Sequence, residues 1–317
     1  MQKNDYNTTQ NNNTNYSQIS NNIINNTNIN NTINNNNDAP IMHYNSIHSN
    51  EILHSNSNTT ILLIAIVKLE IKYIREWIEH HKSIGINKIV ICDNNNKEDE
   101  KIEEPIQDYI NSSFVIIDKS FNGKGFLQES CYRSNYKKYV NEYDWITFND
   151  IDEFIFLEEG SGYNNIQQFL DEPIFNDTDN IILTWRYYDD NEIIDVKNQN
   201  YSVLKRFTHS RLEGCKGDPN SLSKAIYRGK DNRNYIIGAH CLQGYGNGRQ
   251  YVFRKADGRI MKFKTRGWCF YNFAHTHFPV SIHHFETKSI DEYIKNKIKN
   301  IAMNYNILYY IFLIKIR

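Results

Sequence analysis

Between Thr59 and Asp171, short β-branched apolar runs alternate with stretches of helical periodicity, and this alternation restricts the fold more than any other feature of the chain. "TTILLIAIV" has the pattern of a buried strand. "EIKYIREWIEHHKSIG" follows, with Ile71, Ile74, Trp77, Ile78 and Ile84 at helical spacing and Gly85 as a natural C-terminal stop. "KIVICD" predicts a second strand, "EEPIQDYIN" a helix, "SFVIID" a third strand and "FLQESCYRSNYKKYV" a helix. "DWITFND" predicts a fourth strand and "NNIQQFLD" another helix. The expectation is an α/β fold, a mostly parallel sheet with helices on both faces.

The flanks read differently. Residues 1–58 are rich in Asn, with Thr, Ser and Ile between, and keep no period of strand or helix. Such a segment cannot bury enough apolar surface to offset its ordering entropy, which predicts a disordered tail. Its N-x-S/T triplets follow from composition. Beyond residue 171, "NIILTWRYYDDN", "YSVLKRF", "SKAIYRG" and "YIIGAH" predict shorter strands joined by loops rich in Asn, Gly and Asp. "KSIDEYIKNKIKN" predicts a late helix, with Ser289 as N-cap and Glu292 as its capping-box partner. The expected organisation is one domain over 59–317. Its first half (59–171) would bind a nucleotide, and its second (172–317) would complete the acceptor pocket and metal site.

Net charge is −1, so no global field attracts nucleic acid. Aromatic residues make up 13% of the chain, enough for a sizeable core. Cys92, Cys131, Cys215, Cys241 and Cys269 are scattered, odd in number and without a C-x-x-C pair, which argues against a disulfide framework and fits a reducing compartment. "ILLIAIV" is too short to span a bilayer, which takes about 20 apolar residues. With no basic-flanked apolar leader, the expected location is cytoplasmic, without a transmembrane segment. The closing "ILYYIFLIKIR" reads as a final buried element, or alternatively as a peripheral membrane contact.

"WITFNDIDEFIFL" sets three acids inside an apolar, aromatic run. Burying carboxylates there is costly unless something pairs with them. In open α/β sheets ligands sit at the carboxyl ends of strands, where Asp93, Asp150 and Asp152 fall. In extended backbone Asp150 and Asp152 would point to one side and Ile151 into the core. Two hard oxygen ligands so placed suit Mg²⁺ or Mn²⁺ held together with a diphosphate. A bare D-x-D also fits a solvated turn, so its setting between W-I-T-F and E-F-I-F carries weight.

Several segments together resemble the family 92 and family 2-like glycosyltransferases. "VKLEIKYIREWIEHHKSIGINKIVICDNNNKED" is similar to their opening K-N-E-x-x-Y-L-x-E-W-I-x-Y-H, G-V and Y-D-N-N-S-x-D elements, and "WITFNDIDEFIF" to their D-x-D-E-F segment. "LTWRYYDDN", "LKRF", "SKAIYRG", "GAHCLQG" and "HHFETKSIDEYIKNKIKNI" resemble later elements, in order, over about Leu62 to Ile301. Leu69 stands where that pattern has Asn, and Cys92 where it has Tyr. The resemblance implies a GT-A fold and a metal-dependent transfer of a sugar from a nucleotide-diphosphate sugar to a glycan, glycolipid or glycoprotein hydroxyl. A metal-dependent phosphatase or nuclease would need more carboxylates. A catalytically inactive sugar- or nucleotide-binding relative is the alternative outside enzymes.

The candidate roles follow. Asp152 ligates the metal directly, and Asp150 binds it through water or holds the ribose. By resemblance, Asp93 and Asn94 contact base and ribose, Gln128 faces the strand ends, and His284 completes the metal site, with His240 as runner-up. Arg186 and Lys288 are the cations for phosphate charge. Asp190, in the D-N element, is the candidate base for the acceptor hydroxyl, with Glu213 as alternative. His275, His277, His283 and His284 together offer a zinc-like cluster. Glu70 reads as a first-turn acid and Trp77 as core.

Overall fold

The computed structural model describes residues 57–96, 99–124, 127–194, 202–210, 222–230, 235, 237–240, 251–261 and 276–293. Expectations for the tail up to residue 56, for Cys215, Cys241, Cys269, Glu213 and His275, and for the chain after residue 293 lie outside these residues. The apolar runs of the first half become β1 (Ile61–Val67), β2 (Lys88–Asp93), β3 (Val115–Asp118) and β4 (Trp145–Phe148). Between them lie α1 (Ile74–Ser83), the short α2 (Gln107–Asn111) and α3 (Gln128–Tyr139). β5 (Glu153–Leu157), α4 (Ile166–Leu170), β6 (Asn180–Tyr187), α5 (Val203–Arg206), β7 (Ser223–Arg228), β8 (Phe253–Lys255) and β9 (Val280–His284) follow. Gly85 closes the α1 segment at φ +99°, a backbone state that a Cβ would penalise.

The strands form one sheet in the order β3-β2-β1-β4-β7-β6-β9-β5, with β8 also paired to β6. β1 is parallel to β2 and β4, and β2 to β3. β7 runs antiparallel between β4 and β6, β9 is parallel to β6, and β5 is antiparallel to β9. The class matches the expectation, a mostly parallel sheet flanked by helices. β1 explains why its run is continuously apolar. Ile61, Leu63, Ala65 and Val67 pack with Trp77 and Ile78 of α1, while Leu62 and Ile64 pack with Tyr132 and Tyr136 of α3. Both faces are covered, so no polar face is tolerated.

β5 ends the sheet, and α1 closes its outer edge. The Trp77 indole N–H donates to the Glu153 carbonyl at 2.8 Å, and His81 Nε2 accepts the Ile155 N–H at 3.2 Å. The His80 ring lies 2.7 Å from the Ile155 carbonyl. An edge strand inside a protein needs such partners for its outer backbone groups. Trp77 is core, as expected, but its position in W-I-E-H-H is that of an edge clasp.

Four expectations are corrected. "YSVLKRF" is not a strand where described. It forms the helical turn α5, because Glu76 of α1 accepts both the Ser202 hydroxyl (2.6 Å) and the Val203 N–H (2.7 Å) at the turn's start. "YIIGAH" forms no strand among the described residues. β5, β8 and β9 are strands that the sequence pattern does not predict. Finally, Cys92 and Cys131 are joined in a disulfide across 39 residues of sequence. Strand β2 and helix α3 pack with both sulfurs facing the same layer, a proximity that spacing along the chain does not reveal. The scattered cysteines therefore do not indicate a reducing compartment. No helix among the described residues is long and apolar enough to cross a membrane. The start of the late helix is capped as expected, for Ser289 Oγ accepts the Glu292 N–H (3.2 Å) and Glu292 accepts the Ser289 N–H (3.1 Å).

Candidate active site

The chain from Asp150 to Glu153 is a tight turn joining β4 to β5, closed by the Glu153 N–H on the Asp150 carbonyl at 3.0 Å. The backbone here is a turn and not the extended strand expected, and Asp150 and Asp152 take different close partners. Ile151 is buried as expected. Asp150 turns toward α3 and β7. Its Oδ1 accepts from Gln128 Nε2 (2.7 Å) and the Tyr132 hydroxyl (3.0 Å), and its Oδ2 lies 3.1 Å from Lys224 Nζ. Glu153 Oε2 lies 3.2 Å from the same ammonium and accepts the Asp150 N–H at 3.0 Å.

Lys224 and Glu153 are 1% and 0% exposed, so this is a buried charge cluster. Burial pushes the Glu153 carboxyl up to about 8, against the pull of Lys224. Burial also opposes charging Lys224, but Asp150 and Glu153 outweigh it and hold the ammonium above the usual lysine range. One buried cation thus serves the acid turn from inside.

Asp152 turns toward β9. His284 Nε2 lies 3.5 Å from its Oδ1 and Lys288 Nζ 3.9 Å from its Oδ2. Register explains the meeting, since Glu153 of β5 pairs with His284 of β9 and the Phe285 N–H bonds the Asp152 carbonyl at 2.8 Å. Burial would raise the Asp152 carboxyl, yet His284 and Lys288 hold it well below the carboxylate range. Burial likewise opposes charge on His284, and Asp152 overrides it, leaving the imidazole above its usual value. Lys288 is buried at φ +51°, with its ammonium 4.6 Å from the centre of the Tyr73 ring. Glu292 anchors this corner by accepting from Arg206 (2.9 and 3.1 Å) and the Tyr73 hydroxyl (2.6 Å).

Asp93 ends β2 as expected. Its Oδ1 accepts from the Asn95 backbone (3.0 Å) and side chain (2.8 Å), and its Oδ2 from Asn122 (2.9 Å). Asn94 donates to the Phe121 (2.7 Å) and Lys124 (3.0 Å) carbonyls, so both residues tie the β2 and β3 loops together. Arg186 is not brought to the acids. It pairs with His283 across the β6–β9 ladder, and both reach Glu158, at 3.7 and 3.2 Å. Asp190 lies in the turn after β6 and accepts the Glu192 N–H at 3.0 Å. That turn supports the chain just past Lys288, through Ile290 N–H on the Ile193 carbonyl (3.0 Å). His240 lies 2.9 Å from the Ser223 carbonyl, and burial, with Lys224 nearby, lowers its imidazole to about 4. His277 lies 2.8 Å from the Trp185 carbonyl and His283 stacks on Phe156, so the described histidines do not converge as a zinc cluster. Among the described residues, no three His, Cys, Asp or Glu side chains form a metal-ligating group.

Three residues at this site are not singled out by the sequence in these roles. Lys224 falls within "SKAIYRG", and a lysine in an otherwise buried strand is the available signal. Glu70 precedes α1 instead of opening it. Burial raises its carboxyl to about 7, with Lys288 opposing and Asp152 adding, and its Oε2 is buried without a partner among the described residues. It follows Leu69 at φ +61°, whose N–H bonds Asn95 Oδ1 at 2.9 Å. Trp185 of β6 packs against His284, with ring centres 4.1 Å apart.

The model of glycosyltransferase family 92 matches residues 65–301, well over half of the chain. The chain belongs to glycosyltransferase family 92. The mostly parallel sheet with flanking helices has the α/β organisation expected from the sequence. No curated protein matches the sequence. Among solved structures, it is similar to S. aureus TarS 1–349 in complex with UDP, at 13% identity and TM-score 0.33, over 54% of this chain and 47% of that one. The same protein in complex with UDP-GlcNAc aligns at 16% identity and TM-score 0.31, over 41% and 35%. The S. cerevisiae mannosyltransferase Ktr4p aligns at 11% identity and TM-score 0.25, over 43% and 41%. The chain thus spans less than half the length of each of these structures.

Proposed function

We propose that this chain is a metal-dependent glycosyltransferase that moves a sugar from a nucleotide-diphosphate sugar to a glycan hydroxyl. The observation that carries the reading is the meeting of Asp152, His284 and Lys288 at the β4–β5 turn, at separations of 3.5 and 3.9 Å. A carboxylate facing an imidazole suits Mn²⁺ or Mg²⁺. Two protein ligands are enough when diphosphate oxygens and water supply the rest. Asp152 and His284 would hold the ion, which when bound neutralises charge on the departing diphosphate. Lys288 adds a fixed positive charge there, already oriented by the Tyr73 ring and the capped helix start, so little reorganisation accompanies the reaction. Asp150, tied to Gln128, Tyr132 and Lys224, holds the turn and faces the ribose side. Asp93 and Asn94 shape the base end of the donor site. Asp190 takes the acceptor proton if configuration inverts.

The test is donor binding and Mn²⁺-dependent hydrolysis, screened across nucleotide sugars. Asp152→Asn should weaken Mn²⁺-dependent donor binding by roughly a hundredfold or more, the scale of removing one electrostatic interaction from a reacting diphosphate. It should stay folded without metal but melt somewhat lower, because the ionised carboxylate that His284 and Lys288 favour is lost. A mutant that unfolds yet still binds donor would make the turn purely structural. Wild type that binds donor but never turns over would be an inactive relative.

A further inference from the structure

Buried polar atoms without a partner among the described residues gather around the acid turn: Glu70 Oε2, Asn149 Nδ2, Glu153 Oε1, His284 Nδ1 and Trp185 Nε1. The carboxylates and the imidazole can change protonation to suit their surroundings, and the Asn149 amide already bonds Thr147 through its oxygen, whereas the Trp185 indole N–H is donor-only and is that side chain's single polar group. Leaving such a donor unpaired in the folded interior is costly, and a buried orphan of this kind calls for a partner that a ligand can supply. Trp185 is 7% exposed, and its ring packs 4.1 Å from the His284 ring and 5.6 Å from the His240 ring. Its backbone is held on both sides, by its β9 partner Ile282 and by His277 on its carbonyl at 2.8 Å.

Strand order places this ring relative to the rest of the site. Asp93 ends β2, the acid turn leaves β4 two strands away, and Trp185 lies on β6, two strands further in the same direction. At about 4.8 Å per strand, each step is roughly 10 Å. A donor with its base at β2 and its diphosphate at Asp152 therefore carries its sugar toward β6. An indole offers an apolar face and one polar edge, which matches a pyranose with its C–H face and hydroxyl rim. Resting on the donor reading above, we infer that Trp185 is a specificity residue for the transferred hexose, its N–H donating to one sugar hydroxyl while its ring backs His284.

The experiment is calorimetric titration of the full chain with Mn²⁺, comparing UDP or GDP, whichever wild type binds, with the matching nucleotide hexoses. Trp185→Phe keeps a ring against His284 and removes only the donor. It should bind the free diphosphate within about twofold of wild type and the hexose donor about tenfold more weakly, the range of one neutral hydrogen bond. Deoxy donors sharpen the result. One deoxy position should weaken wild type by a similar factor and leave the mutant unaffected. Equal hexose-donor affinity in mutant and wild type overturns the inference. So does an equal loss for the free diphosphate, because the ring would then serve only to hold His284. If folded wild type binds neither diphosphate nor donor, the donor reading itself falls and takes this inference with it.

Discussion

Asp150 and Asp152 stand two residues apart in one turn, and their surroundings differ in kind. Asp150 has close partners on both carboxylate oxygens, at 2.7 to 3.1 Å, and shares a fully buried lysine with Glu153. Asp152 faces His284 and Lys288 at 3.5 and 3.9 Å, longer than direct hydrogen bonds. The first arrangement is a close-packed internal cluster around Lys224 that shapes the turn. The second collects charges of both signs without joining them, which is what a site for a cation and a diphosphate requires. Four consecutive residues therefore divide between a close-paired arrangement inside the fold and a looser one beside it.

The largest effect should come from the closed side. Lys224→Met leaves Asp150 without its cation, and should cost about 3 kcal/mol in urea unfolding, the low end for broken buried pairs because Asp150 is part-exposed. Adding Glu153→Gln should recover part of that loss. An unchanged midpoint would remove the distinction between the two sides. On the open side the loss should fall on chemistry. Lys288→Met should lower turnover roughly a hundredfold, and added Mn²⁺ should not restore it. His284→Ala should be partly restored by Mn²⁺, since only one ligand is missing. Equal losses of thermal stability in both variants, with no metal-dependent defect, would make this side structural too.

The support beneath Lys288 gives a pH test. Burial would raise Glu292, but Arg206 and the Tyr73 hydroxyl bring it down to about 2 from 4.5. A depressed folded value means its stabilisation is present above about pH 4.5 and is lost as pH falls toward 2. Glu292→Gln should therefore be less stable than wild type by about 2 kcal/mol near neutrality, with the gap closing through that window. A gap that stays constant with pH would mean the carboxylate charge is not what holds the corner. The smallest effect should be Leu69→Asn. Leu69 sits at φ +61°, a left-handed state costing a branched-chain residue about 1 kcal/mol, whereas Asn tolerates it. The variant should melt slightly higher, and a lower melting point would show that packing of the leucine outweighs its backbone.

Much of the fold is legible from local chemistry. β1 is readable because a strand covered by α1 and α3 on opposite faces has to be apolar at every position. The Ser289 cap is readable because capping is settled within one helical turn. The acid turn is readable as a place where charged residues gather, but its geometry is not. D-x-D spacing predicts a shared side only if the backbone is extended, and the turn closed by Glu153 on Asp150 sends the two side chains to different neighbours. α5 escapes a sequence reading because "VLKR" is strand-like in isolation, and its helical start depends on a carboxylate from α1. β5 and β9 escape it because each is short, and their pairing is a contact more than 120 residues apart in sequence.

The sequence by itself determined the alternation of β1 to β4 with α1 to α3, the apolar layers, the capped helix start and the strand ends at which acids would collect. These depend on periodicity and on interactions spanning a few residues. Only the tertiary structure decided which acid meets which cation, that Cys92 reaches Cys131, that Arg186 goes to Glu158, and that Trp185 comes to lie against His284. Those outcomes depend on register between distant strands. A shift of one residue in β5 against β9 would turn His284 and His283 to exchanged faces, and nothing local to either segment specifies it.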